Sequence, residues 1–155
     1  MTAQASRRGA AALRVGELAV GQTFETVVVT DLKRTQIVQY AGASGDYNPL
    51  HTDEVYATMI AGYRSVFAHG MLTMGLTGQA IVGLVGTESL LRFGVRFTAQ
   101  VWPGDTLTVR SSVTRIDEGD GGPVAEFSVS TMALSAADGE GREVVSGYAH
   151  ARLAA

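Results

Sequence analysis

Residues 69–85 read as a helix with apolar side chains on nearly every side, and a helix without a polar face has to be enclosed by other elements. Gly75, Gly78 and Gly83 interrupt it. Each costs about 1 kcal/mol relative to alanine in a helix interior, so the pattern calls for a compensating gain, such as close approach of a sheet. The sheet comes downstream. Residues 91–101, 106–116, 124–135 and 143–153 alternate apolar and polar side chains in rough period two, as half-buried strands do. Between them stand Pro103-Gly104, Gly119-Asp120-Gly121-Gly122-Pro123 and Asp138-Gly139-Glu140-Gly141, turn formers at hairpin-like intervals. Consecutive antiparallel pairing is the simplest topology.

Upstream, residues 23–29 are rich in β-branched side chains and read as a first strand. Residues 31–43 switch to helical spacing, with Leu32, Ile37, Tyr40 and Ala41 on one face, Thr30 or Asp31 as N-cap, and Gly42 and Gly45 ending the helix. From 44 to 69 turn formers crowd in (Gly45, Asp46, Asn48, Pro49, Gly62), predicting an irregular excursion with a short helix near 53–59. Loops this long inside compact domains are commonly functional. One strand, one enclosed helix and four long strands predict an α+β architecture, an antiparallel β-sheet wrapped around a central α-helix. That is the hot-dog fold.

The chain has 155 residues, a length that favours one core over two. Residues 1–12 read as a flexible tail without the apolar run of a secretory leader, and 13–155 as a single domain. With 46% hydrophobic and 17% charged residues, the chain can bury a core. A net charge of −3 without any Lys/Arg run interleaved with aromatics argues against a nucleic-acid partner. The glycine-broken apolar stretch falls short of the roughly 20 residues that span a bilayer, so no membrane association is expected. Cysteine is absent, which removes disulfides and thiolate chemistry and fits a cytoplasmic location. The three histidines, His51, His69 and His150, are too dispersed for metal-ligand spacing, so neither a metal nor a cofactor is expected.

The densest chemistry lies in Ser44-Gly45-Asp46-Tyr47-Asn48-Pro49-Leu50-His51-Thr52-Asp53. Asp46 and His51 are five apart, too far for neighbours on a helix face, but Asn48-Pro49 invites a turn that brings carboxylate and imidazole to one side. Such a pair can hold one water and move protons during its addition to a double bond conjugated to a carbonyl. Ordinary pKa values near 6.5 and 4 provide one base and one acceptor without extreme tuning. The plainer alternative is that Asp46 braces a turn and His51 is a satisfied loop histidine. Gly70, at the start of the buried helix, would offer a free N–H at the positive end of the helix dipole. His69 reads as structural, its ring bonded to nearby backbone, and His150 as a strand residue facing solvent or another subunit.

This stretch resembles the hydratase motif of the MaoC-like family of R-specific enoyl-thioester hydratases and dehydratases, with Gly45, Asp46, Asn48, Pro49, His51 and Asp53 matching. The resemblance continues at Ala68-His69-Gly70-Met71-Leu72, at Phe93-Gly94-Val95-Arg96-Phe97 and at Val101-Trp102-Pro103-Gly104-Asp105. It implies that Asp46 and His51 bind and activate a water, that Gly70 is the oxyanion donor, and that Asn48 and Pro49 shape the turn. Tyr47, Asn48, Phe67 and Thr73 are the implied substrate-binding residues, and Tyr56, Met59 and Tyr63 join Tyr47 and Phe67 as candidates to set acyl length. Where some members carry a helix serine, this chain reads Thr73-Met74-Gly75-Leu76. The implied activity is reversible hydration of a trans-2-enoyl thioester of coenzyme A or an acyl carrier protein, by a homodimer that joins its sheets. Arg64, Arg92 and Arg96 could form a basic patch for an acidic carrier. Thioester hydrolysis and a non-catalytic partner-subunit role are the alternatives.

Overall fold

The computed structural model describes residues 13–154, so the expected tail at 1–12 lies outside the described residues. β1 (Thr23–Val29) leads to α1 (Arg34–Ser44), and a short 3-10 turn (Pro49–His51) and a π-helical turn (Tyr56–Ile60) follow. Next come α2 (Gly70–Val85), β2 (Leu90–Phe97), β3 (Thr106–Gly119), β4 (Gly122–Leu134) and β5 (Gly141–Arg152). The five strands form one antiparallel sheet in the order β1-β3-β4-β5-β2.

Period two is plain in the central strands. Leu107, Val109, Ser111 and Val113 of β3 and Ala125, Phe127, Val129, Thr131 and Ala133 of β4 point inward and are buried. The register shifts where β4 Thr131 and Met132 face β5, and there Val144 and Val145 are both buried in succession. A bulge of this kind bends the strand and raises its twist, which helps the sheet curve over α2. The helix answers with a stripe at four-residue spacing, Thr73, Thr77, Ile81 and Val85, all buried. Thr77 Oγ1 donates to the Thr73 carbonyl at 2.8 Å and lies 2.7 Å from Thr131 Oγ1 on β4, so a polar residue sits in the core fully bonded.

Two apolar clusters result. One gathers Ile81 and Val85 with Val109, Val113, Phe127 and Val129. The other packs Leu32 and Ile37 with Ala68, Val101, Leu107 and Val144, beneath the excursion.

Three expectations change. β2 pairs with β5 rather than β3. After β2 the chain is pinned by Ala68 N–H to the Val101 carbonyl (2.8 Å) and by Gly104 N–H to the Leu32 carbonyl (2.8 Å), so it crosses the end of the sheet and Pro103-Gly104 is no hairpin turn. α1 begins at Arg34 with Lys33 as N-cap, because Asp31 N–H is drawn to Thr106 Oγ1 and Leu32 N–H to the Asp105 carbonyl. Leu32 is buried but lies outside the helix. Finally, α2 is buried along one stripe only: Met71 is 56% exposed, and a Cβ at Gly75 or Gly83 would meet nothing. Only Gly78 meets the expected close approach, its Cβ position lying 3.3 Å from the Phe93 ring of β2.

Candidate active site

α1 ends on Gly45, whose φ of 75° is the left-handed conformation that terminates helices. Side chains then take over the backbone bonding. Ser44 Oγ accepts from Asp46 N–H (3.3 Å), Asp46 Oδ1 from Asn48 N–H (3.2 Å), and Asn48 Oδ1 from Leu50 N–H (3.0 Å). Pro49 opens the 3-10 turn, where its missing N–H is no loss. The result carries His51 back beside Asp46.

A second tie holds the far side of the excursion. Glu54 accepts from Arg34 of α1 (2.6 Å), from Ser65 Oγ (3.2 Å) and from Val66 N–H (3.3 Å). The Arg34 bond is the main reason its carboxyl sits below its ordinary value. Nothing local in the sequence pairs Arg34 with a residue twenty positions on.

His51 is half-buried, and its Nδ1 lies 2.7 Å from the Phe67 carbonyl. A carbonyl oxygen only accepts, so Nδ1 carries the hydrogen and Nε2 of the neutral ring keeps its lone pair. Burial pushes the imidazole below its ordinary value. The Phe67 carbonyl opposes this, the His69 ring adds to it, and the Asp46 carboxylate opposes it again.

His69 is the residue that sequence reasoning left aside. It is 2% exposed, its ring lies 3.8 Å from that of His51 in a stack tilted by 28°, and its Nε2 lies 3.0 Å from the Asp46 carbonyl. Its ring does bond backbone, as expected of a structural histidine, but that backbone belongs to Asp46. Among the described residues Nδ1 of His69 is buried with no partner, a situation worth about 1–3 kcal/mol against folding. One donor atom each from Asp46, His51 and His69 lies within 4.8 Å of the others. The expectation that the histidines are dispersed is thus overturned for two of the three. Stacked rings direct their in-plane lone pairs alongside one another rather than to a common point, so this arrangement is poorly shaped for a tetrahedral metal.

A cavity of about 300 Å³ is lined by Phe67, Gly70, Thr73, Phe97, Gln100 and Val144, among others, but by neither Asp46 nor His51. Phe67 connects the cavity to His51, its ring set edge-on to His51 at 5.2 Å and to Trp102 at 5.6 Å. Gly70 is the first residue of α2, where backbone N–H groups have no partner within the helix. A Cβ there would come within 3.1 Å of the Phe97 ring. Of the other implied contacts, Phe67 and Thr73 line the cavity, whereas Tyr47 and Asn48 do not. Tyr47 is 69% exposed, and Asn48 is committed to capping the turn. Arg64 stacks over Trp102 at 4.6 Å and Arg92 over Tyr148 at 5.5 Å.

Residues 16–133 match the family described as MaoC like domain. The chain belongs to that family. Among curated relatives of this MaoC-like chain, 3-hydroxyacyl-thioester dehydratase Y of Mycobacterium tuberculosis is 41% identical over 68 residues, which is 42% of this chain and 23% of that protein. The chain therefore spans about a quarter of that relative's length. Among solved structures, the unliganded R-hydratase PhaJ1 from Pseudomonas aeruginosa superposes with a TM-score of 0.73 at 28% identity, covering 92% of this chain and 86% of that one. A conserved hypothetical protein from Mycobacterium tuberculosis, described as a double hotdog fold, superposes with a TM-score of 0.69 at 20% identity, over 93% of this chain and 44% of that one. The MaoC-like sheet and central helix are thus a hot-dog fold. His150, on β5, stays apart from the cluster, beside Tyr148 at 5.4 Å.

Proposed function

We propose that this MaoC-like chain catalyses reversible hydration of a trans-2-enoyl thioester to the (R)-3-hydroxyacyl thioester. The observation that carries the reading is the meeting of Asp46 and His51, five residues apart, with the Phe67 ring between His51 and a cavity lined by the first residue of α2. Between the Asp46 carboxylate and the His51 Nε2 lone pair, one water can be bound and deprotonated. With the thioester carbonyl at the Gly70 N–H, negative charge developing on its oxygen meets a free donor at the positive end of α2. The water oxygen bonds to C3, a proton goes to C2, and the enolate collapses; dehydration runs the same steps backwards. The names of the relatives, a thioester dehydratase and an R-hydratase, support this substrate and hand.

Purified protein should hydrate crotonyl-CoA, read as loss of the conjugated enoyl absorbance, and Asp46→Asn or His51→Ala should abolish that loss. Full activity in either variant removes the pair from the mechanism. Release of free thiol without hydration would instead make the chain a thioesterase, and neither activity would favour a partner-subunit role. The carrier is coenzyme A or an acyl carrier protein, and comparing both thioesters in this assay separates them.

The working unit in this reading is a homodimer, in the cytoplasm. β2 is an edge strand with Leu91 and Phe97 each 47% exposed, and Met71 of α2 is 56% exposed. Open edges of this kind are normally covered in stable proteins. Light scattering should give twice the chain mass, and Leu91→Lys on the β2 edge should return a monomer.

A further inference from the structure

We propose that His69 is a positioning residue for the Asp46–His51 pair, clamping the Asp46 backbone with one ring nitrogen and bracing the His51 imidazole with its ring face. The proposal rests on the hydratase reading for its kinetic consequence, but its structural content stands apart from it.

Three observations carry it. The Asp46 carbonyl only accepts, so the 3.0 Å contact makes His69 Nε2 a donor, and this bond ties the N-cap of α2 to the turn that carries Asp46. The 3.8 Å stack with a tilt of 28° leaves the His51 ring little room to swing, since Phe67 stands edge-on at 5.2 Å and its carbonyl holds Nδ1. The third is the orphaned Nδ1. Phenylalanine or leucine would fill this buried volume without a polar side-chain atom of its own to satisfy, so what the imidazole adds is its contact to Asp46 and its face toward His51.

The stack also has an electrostatic side. Protonating one of two imidazoles at this distance opposes protonation of the other. The ionisable groups facing the two rings are Asp46, from the turn, and Tyr40 of α1, whose ring lies 5.0 Å from that of His69. His69 thus helps keep the His51 lone pair available.

Two substitutions separate the contacts. His69→Gln keeps an N–H for the Asp46 carbonyl and loses the ring; His69→Phe keeps a ring face and loses the N–H. Circular dichroism and melting establish folding, and imidazole NMR follows pH titration in a chain with only three histidines. In both variants the His51 midpoint should rise. With crotonyl-CoA, kcat should fall about tenfold or more with KM within about twofold, because small misplacements of reacting groups carry penalties of this size. Folded variants with unmoved kcat overturn the proposal, and so does a kcat loss with the His51 midpoint unmoved, which marks a merely structural role. If neither variant folds, wild-type tautomers decide: protons on His51 Nδ1 and His69 Nε2 support the clamp, and a neutral His51 protonated on Nε2 overturns it. Absence of hydration in the wild type sinks the hydratase reading alone, while the NMR arms still test the clamp.

Discussion

The sheet of β3 to β5 and the excursion over residues 44–69 hold themselves together by different means. In the sheet, inward side chains are mostly apolar and buried on alternate positions, and the polar Thr131 among them is bonded to Thr77 of α2. In the excursion, Ser44, Asp46, Asn48, Asp53 and Glu54 do the work through side-chain bonds to backbone, and Asp46, Tyr47 and Asn48 are exposed. The difference separates stability from the proposed chemistry: the sheet supplies a packed floor, and the excursion brings a carboxylate and an imidazole together on a turn that is itself exposed at Asp46, Tyr47 and Asn48.

If that division is right, substitutions should fall into two kinds. The largest effect is on turnover alone: Asp46→Asn and His51→Ala should each reduce kcat/KM by about 10²- to 10⁴-fold, with melting temperatures near wild type. A collapse of stability in either would show that the pair also holds the fold. Phe127→Ala, at a site 1% exposed, should do the reverse, lowering unfolding free energy by about 3–5 kcal/mol while the fraction still folded turns over normally. Gly70→Ala stands between them. Its Cβ presses on the Phe97 ring at the cavity, and kcat/KM should drop about tenfold, equivalent to about 1.4 kcal/mol, with little change in melting. The smallest effect is a gain: Gly83→Ala places a methyl in open space on α2 and should stabilise the protein by about 0.4–1 kcal/mol.

pH tests the same boundary from another side. Because burial holds the His51 imidazole low, the acid limb of kcat/KM should fall below the ordinary histidine range near pH 6.5. The unfolded chain takes up that proton first as pH falls, so His51 also removes stability between its ordinary value and its lower folded one. His51→Ala should flatten that part of a melting-temperature profile against pH.

The two regions were also legible to different degrees. Strands β3, β4 and β5 could be read within a few residues because a half-buried strand writes its period into consecutive positions, and α2 because few apolar helices are mistaken for anything else. The partner of β2 could not be read, since it depends on bonds from Ala68 to Val101 and from Gly104 to Leu32 that join distant segments. The same holds at the start of α1, where bonds to Thr106 and Asp105 claim the residues that local chemistry would use as a cap. In the excursion, the order of Asp46, Asn48, Pro49 and His51 carried the chemical signal, and the turn between them follows from their side chains. The stacking of His69 on His51 could not be read, because eighteen residues separate the two and no spacing rule spans an irregular loop. The usable clue was a histidine opening an otherwise apolar helix.

Glu54 closes a ring: by accepting from Ser65 and Val66 as well as Arg34, it brings the two ends of residues 55–64 together. A loop whose ends are already joined can change length cheaply, with a doubling worth only about 0.6 kcal/mol. That stretch contains Tyr56, Met59 and Tyr63, while Asp46 and His51 lie outside it. The fold therefore leaves a segment outside the Asp46–His51 turn that can be lengthened, shortened or exchanged without re-aiming the pair, a natural graft point for altering what the proposed site accepts.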